Sequence, residues 1–310
     1  MPKPQPALLS GNILGIVFML MAVSAGVITS VIIKSLSPIA TLLVLLSLRF
    51  LFSIPFLTAS AYIKRGAQFL QVTRWDRLLM RILAGHIGII FWFLAVSHAT
   101  LGQATALFQS SAIFVTILSP LILREKVGIY RGSAVFLGLL GIIMITNPFQ
   151  GDFNIGTIYG LISAMAGAIL VVLLRLLGRT EEPVTVALWH NLVGAVCYPI
   201  LMVNFGETPI FNDIISTSLM MMIVFGIAAS FVQIGFTSAY RHGEAAVLAP
   251  IRYLSVPAAA LLGFLIWGEN LALLEILGMM LVVSACVFIS WREYQLSRHS
   301  RPVHPTPQAG

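Results

Sequence analysis

GNILGIVFMLMAVSAGVITSVII, residues 11–33, contains no charged side chain. At about 1.5 Å of rise per helical residue, such a run crosses the roughly 30 Å of hydrocarbon in a bilayer. The pattern recurs down the chain. Apolar runs bounded by charge, proline or glycine are drawn at 11–33, 38–60, 79–97, 101–123, 129–147, 156–177, 184–204, 217–239, 246–267 and 272–291. The fold class expected from them is an all-α polytopic membrane protein with ten transmembrane helices. Composition agrees, since only 9% of the 310 residues are charged and 58% are hydrophobic. Soluble domains carry about 25% charge, so too few charges remain to cover a water-facing surface. Nineteen Phe, 12 Met and 25 Gly suit packed helices in lipid better than the short alternating strands of a barrel. Cys197 and Cys286 both lie in apolar runs, which offers neither a disulfide framework nor a metal cluster.

The formal charge of +7 does not point to nucleic acid, because the basic residues occupy short breaks between apolar runs. Ten crossings put both termini on one side. Fifteen Lys and Arg then share the terminal side, among them Lys64, Arg65, Arg74, Arg77 and Arg81, against Lys34 alone on the other. Asp152, Glu207, Asp213, Glu269 and Glu275 fall with Lys34, and Arg49 and Arg252 are left within the membrane. Positive charge stays inside, so the amino and carboxyl termini are expected in the cytoplasm of an inner (plasma) membrane. Residues 11–33 lack a small-residue cleavage pattern and lead through Lys34–Pro38 into another run, which favours retention over a signal peptide. The proline-containing tail is expected to be disordered.

Landmarks recur about 144 residues apart. Gly11 and Gly15 match Gly156 and Gly160, Pro55 matches Pro199, and Glu125 in PLILREK matches Glu269 in GFLIWGE. The order and near-constant offset indicate two copies of a five-helix unit, 11–148 and 156–291, between a cytoplasmic segment 1–10 and a tail 292–310. Five is odd, so the second copy enters from the opposite side. Such inverted repeats give a basis for opening a midplane site first to one face and then to the other.

Arg49 lies about 11 residues into its run, too deep for an end charge. It either binds an anionic group of a substrate or locks helix-end carbonyls and polar neighbours in place. Arg252, in APIRYLS, either contacts substrate or snorkels to the nearer face. His190 follows Trp189 at a depth matching that of Arg49 and is read as a cavity residue or a helix–helix hydrogen bond. Gln109 and Gln233 sit in otherwise small or apolar stretches and are read as cavity-lining. Trp92 and Tyr253 are candidates for an aromatic wall, with core or lipid packing as the alternative for Trp92. No acid lies well inside a run, so proton relay would fall to histidines or to the near-end Glu125 and Glu269. Facilitated diffusion or counter-solute exchange is favoured. No GxxxxGK[ST] loop is present, no cofactor is implied, and the histidines lack the carboxylate or zinc-ligand spacing of an intramembrane enzyme. A non-transporting sensor or scaffold would be expected to carry a soluble recognition domain. Both a monomer and a homodimer fit the apolar faces.

The chain resembles the EamA-like transporters of the drug/metabolite transporter superfamily. The likeness is carried by PLILREK at 120–126 and, more specifically, by APIRYLSVPAAALLGFLIWGE at 249–269. It implies a secondary carrier of small organic solutes such as amino acids, vitamins, nucleosides or drugs, and not an enzyme. The family's glutamate after its fourth span corresponds to Glu125, with Glu269 in the second copy, in structural or gating roles; its arginine in the second span corresponds to Arg49. Arg124 stands where the family usually has glycine before the first of these glutamates. Neither cargo nor direction follows from the resemblance.

Overall fold

The structure is a computed structural model that describes residues 6–122, 129–146, 154–177, 181–205, 217–242, 248 and 251–299. Every regular element among them is helical: α1 (Pro6–Leu36), α2 (Leu42–Arg65), α3 (Trp75–His98), α4 (Leu101–Gln109), α5 (Ser111–Ile122), α6 (Ile129–Thr146), α7 (Ile155–Leu177), α8 (Pro183–Asn204), α9 (Thr217–His242), α10 (Ser255–Trp267) and α11 (Leu273–His299), with a short 3-10 turn after α2.

Local chemistry sets the boundaries. The Thr41 hydroxyl accepts from Val44 N–H and starts α2, which ends at Gly66 in a positive-φ conformation of 56°. Thr100 and Gln103 form a reciprocal capping box at the start of α4. Ser110 stands between α4 and α5, its N–H shared between the Ala106 and Leu107 carbonyls, within one continuous apolar stretch. Pro183 occupies the first turn of α8, where a missing N–H costs nothing. Gly268, left-handed at φ 66°, stops α10. Pro55 and Pro199 lie inside α2 and α8 without dividing them.

The expectation of ten transmembrane helices is overturned, and with it the count on which the inverted five-plus-five arrangement was built. Among the described residues six helical stretches are long and apolar enough to cross a membrane: Ile13–Leu36, Leu42–Gln68, Trp75–His98, Leu101–Leu118, Ile155–Leu173 and Val184–Asn204. Four others, Gly132–Thr146, Met220–Phe236, Ser255–Trp267 and Leu273–Ile289, are shorter. The reason is visible at α10. The expected run 246–267 counted residues on both sides of the turn at Tyr253 and Leu254 as one helix, whereas the helix proper has 13 residues. That length reaches only about 20 Å at 1.5 Å per residue.

The helices pair across the chain: α1 on α9, α3 on α7, α2 on α8, α6 on α11 and α4 on α10. Exchanging the two halves of the sequence maps this set of pairings onto itself. Large apolar side chains such as Leu83, Phe136 and Leu265 point outward, as lipid contact requires. Small residues permit the closest approaches. A Cβ built on Gly141 would stand 2.8 Å from the Gly278 carbonyl oxygen, and one on Gly278 would stand 2.7 Å from that of Gly141, so α6 and α11 touch backbone to backbone. A principal core cluster joins Ile33, Leu36, Leu46, Phe50, Phe93, Leu101 and Phe225 at the end of the bundle where α1 finishes.

Gly141→Val is expected to force α6 from α11 and destabilise the fold by about 1–3 kcal/mol, the usual range for overpacking. The check is a lowered thermal midpoint in detergent, with Gly132→Ala as control because a Cβ at Gly132 meets nothing within 4 Å.

Candidate functional site

A cavity of about 800 Å³ lies between the helices, walled by parts of α1, α2, α3, α4, α7, α8, α9 and α10. Six of the residues singled out from sequence line it: Arg49, Trp92, Gln109, His190, Gln233 and Arg252. Tyr253 does not; it is buried in the cluster that includes Ile113, Ile142, Val282 and Cys286. Glu125 lies outside the described residues. Glu269 is not on the wall but at one end of the bundle, described below.

The centre of the cavity is basic. Arg49, nine-tenths buried on α2, places its guanidinium 4.6 Å from the Phe50 ring, and its NH1 has no hydrogen-bond partner. Arg81, 4% exposed on α3, leaves Nε and NH1 without partners. The two lie within each other's electrostatic reach. Gly85 makes room between Arg81 and His190: a Cβ there would meet His190 Cε1 at 2.9 Å and Arg81 NH1 at 3.6 Å. His190 Nδ1 has no hydrogen-bond partner and its ring stands edge-on to Phe50. Behind this group, Tyr198 stacks on Phe50, and its hydroxyl lies 3.0 Å from His86 Nδ1.

The wall beside these charges is aromatic. Trp92 packs on Phe108, and Arg252 lies between the rings of Phe108 and Phe236, 6.0 and 5.7 Å from their centroids. Gln109 donates through Nε2 to the Arg252 carbonyl and the Ser255 hydroxyl, at 2.9 and 2.7 Å, which fixes the end of α4 to the start of α10. Its Oε1 is buried without a partner.

The two ends of the cavity differ. At one, Lys64 and Glu182 form a 3.6 Å ion pair with about one third of each side chain exposed, while Glu181 accepts from the backbone N–H groups of Thr73 and Arg74. Beside it the Arg74 guanidinium bonds both oxygens of Asp76, which raises the Arg74 pKa above its ordinary value. At the other end the cavity stops at Ile33, Phe93 and Phe225, and the apolar core cluster lies beyond. Past that cluster Lys34 is ion-paired to Glu269 and donates to the Ala99 carbonyl, and Glu269 also accepts from Leu101 N–H at 2.8 Å. Gln103 adds a 2.7 Å bond to Glu275. The ends of α1, α3, α4, α10 and α11 are thus tied together there.

Sequence reasoning missed Arg81, Lys64, Glu181 and Glu182 as wall residues, assigning Arg81 to a cytoplasmic loop. A signal was present. Arg81, Gly85, Gly88 and Trp92 recur at i, i+4, i+7 and i+11, which is one face of a helix. No comparable periodicity marks Glu181 and Glu182, which enter the wall just before α8 begins.

The sequence pattern of the EamA-like transporter family matches residues 9–147 and again 154–291. A riboflavin transporter of Vibrio cholerae is 27% identical over 237 residues, covering 76% of this chain and 78% of the relative. The pseudopaline exporter of Pseudomonas aeruginosa is 27% identical over 218 residues, covering 69% and 74%. An S-adenosylmethionine uptake transporter of Rickettsia prowazekii is 24% identical over 229 residues, covering 74% and 76%. A solved crystal structure shares the fold with a TM-score of 0.60 over 94% of this chain and 98% of the other, at 17% identity. With both long matches in one chain, the protein belongs to the EamA-like transporter family: it is a multi-pass membrane transporter of a small solute and not an enzyme.

Proposed function

We propose that the protein is a secondary carrier that moves a small organic metabolite across the plasma membrane by alternating access, with the central cavity as its binding site. The carrying observation is the inequality of the two ends. The chamber reaches the Lys64–Glu182 pair on one side and is closed on the other by an apolar cluster backed by the Lys34–Glu269 pair. A chamber open to one face only is what one state of a carrier requires, whereas a continuous pore would meet both faces.

The two family matches and the exchange-symmetric helix pairings support reading 11–148 and 156–291 as like units that rock against each other around the chamber. The concentration of Lys and Arg at the Lys64 end supports placing that end, with both termini, in the cytoplasm. Glu269 then serves as part of an outer gate. Arg49, Trp92, Gln109, His190, Gln233 and Arg252 form the substrate-binding wall, a polar and aromatic lining suited to a solute with both polar and flat apolar parts. Relatives named for riboflavin, pseudopaline and S-adenosylmethionine share only the class of small organic solute, and direction is not assigned. Glu181 and Glu182, the acids on the wall, are engaged at its mouth, which favours exchange or facilitated diffusion over a carboxylate proton relay.

Purified protein in proteoliposomes is expected to accelerate counterflow of at least one member of a broad metabolite panel; flux equal to that of protein-free vesicles across the panel would sink the carrier reading. In intact cells a membrane-impermeant maleimide should label Asn270→Cys, whereas Gln71→Cys should react only after permeabilisation. The reverse pattern would invert the assigned orientation. Lys34→Met strips Glu269 of its cation. In a background lacking Cys197 and Cys286, labelling of Val27→Cys from the Glu269 side is expected to rise about tenfold, the change that losing roughly 1.4 kcal/mol from the closed state produces. An unchanged rate would remove this pair from the gate.

A further inference from the structure

Two guanidinium groups facing the same hollow pose a specific electrostatic problem. Arg49 and Arg81 are both buried, both retain N–H groups without hydrogen-bond partners, and both line the cavity. Among the described residues neither has a carboxylate in ion-pair range; the three pairs formed there are Lys34–Glu269, Lys64–Glu182 and Arg74–Asp76. The surrounding groups do not supply the missing charge. His190 and Tyr198 are neutral in their ordinary forms, Gln233 is an amide, and Arg252 adds a third cation farther along the wall, held by two aromatic rings. Glu181 and Glu182, the carboxylates on the wall, are occupied by backbone N–H groups and by Lys64. A buried charge is stable only when paired or solvated, and two like charges close together raise the demand further.

We propose that Arg49 and Arg81 together dock the carboxylate, or a like anionic group, of an organic solute whose apolar body lies along Trp92 and Phe108. The inference rests on the transport reading of this cavity and names the chemical class of its cargo. Planar guanidinium forks match a carboxylate better than a point cation would, and the unpartnered N–H groups give it donors to meet. His190 Nδ1, across the Gly85 gap from Arg81, is placed to add a further hydrogen bond. The aromatic wall takes the rest of the ligand, so an inorganic anion would satisfy the charges and leave the apolar side of the chamber unused.

The test uses the purified full-length chain in detergent and three matched pairs: indole-3-acetate, phenylacetate and hexanoate, each beside its primary amide. Affinity is read by calorimetry at fixed ionic strength. Wild type is expected to bind at least one acid tenfold or more tightly than its amide. Arg49→Gln and Arg81→Gln should each bring that acid to the level of the amide, and Arg81→Lys, which keeps the charge without the fork, should retain part of the preference. If the glutamine variants do not fold, the acid–amide ratio in wild type still decides. Equal affinity for acid and amide, or binding of neither in all three pairs, overturns the proposal, as does chloride that displaces the acid with equal affinity. Counterflow of the bound acids separates the two readings. Acid preference in binding with no flux of any solute removes the carrier reading and leaves the anion site. Flux of acid and amide at equal rates does the opposite.

Discussion

Hydrocarbon offers no hydrogen bonds and little solvation, so polar groups in this bundle need an answer from within the protein or a space that the protein encloses. Much of the interior obeys the first course. Ser30, Ser47, Ser53 and Thr105 return their hydroxyls to carbonyls a turn earlier, Asn191 does the same with its amide, and Ser163 reaches across to the Gly88 carbonyl. Among the described residues the second course is concentrated at one place. Arg49, Arg81, Gln109 and His190 all keep unanswered atoms, and all four stand on one hollow. The candidate site is thus the place where the internal accounting stops. His86 marks the boundary: its Nδ1 meets Tyr198 and its Nε2 has no partner, yet it packs behind the wall and not on it.

That constraint also explains why the two ends of the chamber are built from different materials. Where the hollow meets its mouth, the charges are partly exposed, and a pair such as Lys64–Glu182 is held loosely at the rim. At the closed end, an apolar cluster excludes water first. The Lys34–Glu269 pair, 15% and 12% exposed, is then reinforced by the Ala99 carbonyl and Leu101 N–H. A largely buried pair with its remaining valences met is better able to hold helix ends together than an exposed one.

Much of this was legible in the residues. The helical membrane class follows from run length and charge scarcity, and Arg49, Gln109, His190 and Gln233 stood out because polar side chains are expensive in apolar stretches. The span count was not legible, because apolar composition does not register a turn. Leu254 lies in an apolar run, yet a turn stands there ahead of α10. Arg81 was misplaced for a related reason: it follows Arg74 and Arg77 closely in sequence, so it read as part of a basic loop, whereas helical geometry turns it inward beside Gly85. Tyr253 erred the other way. It adjoins Arg252 in sequence but points to the opposite side, where the aliphatic interior takes it up. Lys34 looked like a lone exception to the charge bias, and its partnership with Glu269 depends on a distance along the chain that no local pattern encodes.

The nine residues of α4 are tethered to α10 at both extremities, through Leu101 N–H to Glu269 and through Gln109 to Ser255 and the Arg252 carbonyl. The two short helices therefore behave mechanically as a single bracket. Ser110 links this bracket to α5. The Lys34–Glu269 pair and the Gln109 amide thus sit at opposite ends of one braced unit, about 13 Å of helix apart.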